Sequence, residues 1–143
     1  MYTLPKEHLN GFHHFNIRET DDNELELVNI RVKVKGSFAA IWDSLVQYCV
    51  DNKISKIKLT DSSTTDRDVW GEKYGFHGTM RRGTRYFYTC SHKVDIDIPL
   101  HELNKLFYFM DSFASWELDE DELWDEVKNK VSRDIFDLYI KNV

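Results

Sequence analysis

From Gly11 to Arg18 the chain reads GFHHFNIR, with Phe12, Phe15 and Ile17 in imperfect alternation, and the polar stretch Glu19-Thr20-Asp21-Asp22-Asn23 follows. Leu25, Leu27, Ile30, Val32 and Val34 then alternate again, but their parity changes between Leu27 and Ile30. Successive side chains of a strand face opposite sides of its sheet, so a parity slip marks an inserted residue, a bulge near Val28-Asn29. The pattern predicts an antiparallel pair over residues 12–18 and 24–35.

Gly36-Ser37 closes that strand, and Ser37 can cap a helix beginning at Phe38. Phe38, Ile41, Trp42, Leu45, Tyr48 and Cys49 recur at helical spacing, so one face of a helix over 38–51 is packed. A strand over 54–60 comes next, with Ile57 and Leu59 facing one way and Lys56 and Lys58 the other. Strand, helix and strand at this spacing predict a βαβ crossover with parallel strands.

The polar loop 61–66 leads to a short helix, residues 66–74, which turns Val69, Trp70 and Tyr74 inward and ends at Gly75. A hairpin over 76–81 and 84–91 turns at Arg82-Gly83, and Val94, Ile96 and Ile98 give one further short strand. Pro99 opens a helix over 100–115 with a wide apolar face. A last helix, about 119–141, carries the stripe Leu123, Trp124, Val127, Val131, Ile135 and Leu138. These elements predict an α+β fold: one domain over 1–143, a mixed sheet around one βαβ unit within about 11–98, and a C-terminal helical pair within about 99–142.

Composition adds limits. A chain of 143 residues with 41% hydrophobic and 14% aromatic side chains has material for one core, which excludes disorder. No apolar run approaches the roughly 20 residues that span a bilayer, and the N-terminus lacks a basic segment followed by an apolar one. The expectation is a cytoplasmic protein with no membrane segment. Cys49 and Cys90 have no metal-type spacing; two buried thiols are favoured over one disulfide, which stays open. The net charge of −6 is uneven: residues 1–110 are neutral, while 111–126 hold eight carboxylates and no Lys or Arg.

The segment Trp70-Gly71-Glu72-Lys73-Tyr74-Gly75-Phe76 is similar to the helix-ending Y-E-K-x-G-F segment of the acetyl-CoA-dependent N-acetyltransferase superfamily, the GNAT fold. The order of elements from Leu25 to Tyr88 also resembles that fold's core. The family's cofactor signature, Q/R-x-x-G-x-G/A, has its counterpart at Lys33-Val34-Lys35-Gly36-Ser37-Phe38. The resemblance implies that Gly36 and Ser37 hold the pyrophosphate of acetyl-CoA at a helix N-terminus with help from Lys33, and that Ser62 and Ser63 border the acyl site. Two positions depart from the pattern. Phe38 stands where the family has almost no side chain, and Gly71 where many members carry the tyrosine that acts as general acid. Tyr74, one turn on, is the remaining candidate for that role, although its spacing also suits the core face. The resemblance therefore implies acyl-CoA-dependent N-acyltransferase ancestry with a degenerate cofactor and catalytic site.

Other chemistry finds less support. The six histidines form no ligand spacing, so no metal is expected. Arg81, Arg82 and Arg85 suit a charged hairpin tip, and the neutral charge of that part of the chain argues against nucleic acid. The segment SFASWELDEDELWDEV leaves a second function class open. Its carboxylates suit a helix N-terminus, with Asp119 or Glu117 near the cap. They also suit a non-catalytic, inhibitor-like docking face for a basic protein partner, formed by Glu117, Asp119, Glu120, Asp121 and Glu122 with Trp116 and Trp124. Such a protein could act alone or as a homodimer through its last two helices. A small, aromatic, acidic domain of this kind has the character of a viral or mobile-element protein.

Overall fold

The computed structural model describes residues 1–60, 69–78, 84–89, 98–114 and 117–142. The fold is α+β, with a mixed sheet of four strands in the order β1 (Phe12–Glu19), β2 (Glu24–Val32), β3 (Lys56–Thr60), β4 (Thr84–Tyr88). The chain groups into two compact units. The first comprises Met1–Thr60 with Tyr88–Cys90, and the second Asp61–Phe87 with Ser91–Val143.

In the first unit a 3-10 helix, Lys6–Gly11, leads into β1 (Phe12–Glu19), which pairs antiparallel with β2 (Glu24–Val32). The register jumps from Asn16–Asn29 to Ile17–Leu27, so Val28 is the extra residue that the parity slip predicted. Helix α1 (Ser37–Asp51) crosses to β3 (Lys56–Thr60), and β3 pairs parallel with β2. Phe38, Ile41, Trp42, Leu45, Val46 and Cys49 of α1 are buried together with Leu25, Leu27, Ile57 and Leu59 of the strands. Each such side chain contributes about 1.5–3 kcal/mol by leaving water. After β4 (Thr84–Tyr88), Thr89 rejoins this unit: its N–H donates to Ser55 O at 3.0 Å and its hydroxyl to Ile54 O.

The second unit holds α2 (Val69–Tyr74), most of β4, and three helices: α3 (Leu100–Ala114), α4 (Glu120–Val127) and α5 (Arg133–Asn142). Its core gathers Phe76, Phe87, Leu103, Phe107, Met110, Leu123, Val127, Phe136 and Tyr139. Gly75 takes φ 82°, the left-handed conformation that ends α2, and Phe76 is then fully buried. His77 and Tyr86 exchange backbone hydrogen bonds of 2.9 and 2.6 Å, which is the described part of the expected hairpin. Its turn, the strand expected around 94–98 and the loop 61–66 lie outside the described residues.

Two expectations are corrected. The last helix is not continuous from 119 to 141. It breaks over residues 128–132 and restarts where Ser132 Oγ accepts from Ile135 N–H at 3.4 Å, so the C-terminal pair becomes three helices. Ser37 does not cap α1 either. The cap is Gly36, at φ 89°, with no side-chain hydrogen bond to the helix.

Candidate functional site

The ladder between β2 and β3 runs from Glu24–Lys56 to Leu27–Leu59 and stops at the Val28 bulge. Beyond it, among the described residues, β2 pairs with β1 alone while β3 ends at Thr60. Where the ladder ends, Glu26 is buried. It accepts from Arg18 at 2.5 Å and from the Thr60 hydroxyl at 3.2 Å. The hydrogen bond from Arg18 holds its carboxyl below the ordinary value, so Glu26 is an ionised anchor between three strand ends rather than a proton acceptor. The sequence reading missed it. Its signal was Arg18 standing opposite Glu26 in the antiparallel register.

Past the bulge the chain turns into α1. Lys33 and Val34 give their backbone N–H groups to Gly11 O at 2.8 and 3.1 Å, and Ser37 N–H bonds Val34 O at 3.1 Å. The first helical bond runs from Ala40 N–H to Gly36 O at 3.0 Å. A Cβ on Gly36 would meet no atom within 4 Å, so glycine is needed there for its positive φ, and the space before it is open. Phe38 turns away from that space. It is 4% exposed, with its ring 5.4 Å from that of Trp42. Arg31, Lys33 and Lys35 are exposed around the turn. A 15-residue helix directs about half a positive charge at its N-terminus, and these cations add to it. Lys33, Gly36 and Ser37 are thus brought together on one turn. Ser62 and Ser63 lie outside the described residues.

Gly71 belongs to the second unit and is buried. A Cβ there would overlap Tyr108 Cε1 and stand 2.6 Å from Arg85 Nη2. Arg85 is itself buried, donates to Phe76 O at 2.9 Å and lies 5.6 Å from the centroid of the Tyr108 ring. Tyr74 is 8% exposed, its ring 5.5 Å from that of Trp70, and burial raises its phenol pKa. Nearby on α3, Asn104 Nδ2 donates to Leu100 O at 2.8 Å, which leaves its Oδ1 to accept from His77 Nε2 at 3.0 Å.

The acidic segment divides in two. Asp111 lies on α3 and is largely buried, accepting from Gly78 N–H at 2.6 Å and from Tyr139. It is not part of an acidic surface. Asp119 caps α4 in a reciprocal capping box with Glu122, and Glu117, Glu120, Asp121, Asp125 and Glu126 are exposed. Trp124 is half-buried, its ring 5.2 Å from Phe136 on α5 and beneath the Arg133 guanidinium, so it serves helix packing. Trp116 lies outside the described residues.

Among the described residues no group of three or more His, Cys, Asp or Glu is placed to hold a metal ion, and no helix is long and apolar enough to cross a membrane. Compared with known proteins, the chain matches no family model, no curated protein and no solved structure.

Proposed function

We propose that this chain is a GNAT-like protein of acyl-CoA-dependent N-acyltransferase ancestry, in which the first unit keeps an acyl-CoA-binding turn and the catalytic position has degenerated. The observation that carries this reading is the end of the β2–β3 ladder at the Val28 bulge, after which, among the described residues, β2 has β1 as its one strand partner up to the Gly36 turn and α1. A cofactor with an amide-bearing arm and a pyrophosphate needs both features: backbone polar groups that a neighbouring strand does not use, and an anion site at a helix N-terminus. The residues present fit such a group. Gly36 is open to solvent, Lys33 and Lys35 supply charge, and the inward rotamer of Phe38 leaves the turn clear. The bound cofactor would supply an activated acyl thioester. A proton donor for the departing thiolate is what this chain lacks at Gly71, where Tyr108 and Arg85 fill the space.

Calorimetric titration with acetyl-CoA tests the reading. Saturable binding is expected, weakened about tenfold or more when Lys33 and Lys35 are both changed to Glu, a loss of about 1.4 kcal/mol or more. No heat at millimolar acetyl-CoA would count against it.

A second reading is favoured by the exposed carboxylates of α4: a non-catalytic protein that docks a basic partner on that face. Fluorescence anisotropy of a Lys/Arg-rich peptide should then report salt-sensitive binding. Changing Glu120, Asp121, Asp125 and Glu126 to their amides, which spares the capping pair, should abolish it. Equal affinity in that variant would sink the second reading.

A further inference from the structure

We infer that β1 is the edge through which two copies of this chain associate, pairing antiparallel about a twofold axis. This does not rest on the acyl-CoA reading. Strand β1 is the terminal strand of the sheet order, and among the described residues it pairs with β2 alone. Eight residues of open strand edge offer a row of backbone donors and acceptors, a ready template for another strand. One common protection is present, a bulge at His13 confined to the first residues of the strand, where the register steps from Phe12–Val32 to His14–Arg31; others are missing. There is no proline in β1, and its arginine, Arg18, is tied to Glu26. The strand also carries apolar surface to cover. Phe15 and Ile17 are half-exposed and line a groove of about 460 Å³ with Tyr2, Leu4, Leu9 and Phe12.

Charge selects the occupant and its direction. At the start of β1 the exposed side chains are Lys6, His13, His14, Arg31, Lys33 and Lys35, with Glu7 the acid among them. At its end Glu19, Asp21 and Asp22 are exposed, with Lys53 and the Glu26-paired Arg18 the cations among them. Lys56 and Lys58 stand opposite Glu24 and Glu26 on β3, two strands from the edge. An eight-residue strand spans about 27 Å, roughly three screening lengths at physiological salt, so the two ends act independently. Antiparallel pairing about a twofold sets the acidic end of each copy against the basic end of the other, and does so twice. Parallel pairing would oppose like charges. The edge is therefore complementary to itself in one orientation, and a twofold along the sheet normal brings Phe15 and Ile17 of both copies onto one face.

Sedimentation equilibrium on the full chain tests this. A monomer–dimer equilibrium is expected that weakens as salt rises from about 0.05 to about 0.5 M. Two charge-reversal variants, Asp21→Lys with Asp22→Lys and Lys6→Glu with Arg31→Glu, should each be monomeric at a concentration where the parent chain is dimeric. Their equimolar mixture should dimerise again, because both end-to-end contacts are then opposite in sign. Circular dichroism melts matching the parent confirm that each variant is folded. A parent chain monomeric at millimolar concentration, variants that stay dimeric, or a mixture that does not recover would each overturn the inference.

Discussion

Gly71 lies beneath the ring of Tyr108, so closely that a Cβ at position 71 would stand 2.6 Å from the tyrosine Cζ and overlap its Cε1. Glycine is therefore a packing requirement of the second unit, as well as the absence of a proton donor. Gly71→Ala is expected to cost about 1–3 kcal/mol by overpacking, measured by urea denaturation. In the Tyr108→Ala background the same change should cost less, because the overlapping ring is gone. Equal costs in the two backgrounds would contradict the contact. Gly71→Tyr, with a larger side chain still, is expected to destabilise the fold further.

A second close approach joins the 3-10 helix to the start of α1. A Cβ on Gly11 would overlap Ser37 Oγ and stand 2.6 Å from Ser37 Cβ, while Gly11 O accepts from Lys33 and Val34. Gly11→Ala should therefore lower stability by about 1–3 kcal/mol. Ser37→Gly in the same chain should recover part of that loss in a thermal melt, since it removes both offending atoms.

Asp111 gives a pH signature. Burial raises its carboxyl above the ordinary 3.8, against the lowering influence of its bonds from Tyr139 and Gly78. A carboxyl whose native pKa is raised binds its proton more tightly folded than unfolded, so stability from this group grows as pH falls from the raised value toward 3.8. The stability difference between the parent and Asp111→Asn should shift in the parent's favour on acidification through that window. A difference independent of pH would contradict this placement of Asp111.

Cys49 is fully buried, and its thiol is pushed up to about 12, by burial first and then by the Glu19 charge. In a Cys90→Ser background, alkylation at about pH 8 should proceed only at the rate of global opening and accelerate sharply in denaturant. Rapid labelling of the native chain would contradict the packing of α1 on the sheet.

What the sequence disclosed was whatever local periodicity encodes. Residues 38–51 and 100–115 are helices over nearly the expected spans, and the parity slip located the bulge at Val28. The stripe Leu123, Val127, Val131 misled because its four-residue spacing runs straight through the break. Only the Ser132 restart, a short-range polar signal, marks it. Glu26 reads as an outward strand residue until Arg18 and Thr60 are brought beside it. Gly71 against Tyr108, Gly11 against Ser37 and Asp111 against Tyr139 join residues 26 to 37 positions apart, beyond any helical or strand period. For the candidate site, the Gly36 turn was legible as glycine after a strand and before an amphipathic helix. The inward direction of Phe38 was not, because a first-turn side chain takes its direction from the core it finds.

The central claim is that the turn between β2 and α1 binds acyl-CoA, and amide chemical-shift mapping tests it most directly. Titration with acetyl-CoA should shift the backbone resonances of Val28 and of residues 33–39 saturably, and those of the α4 segment 120–127 hardly at all. Shifts that miss residues 33–39, or no shift at millimolar acetyl-CoA, would contradict the account.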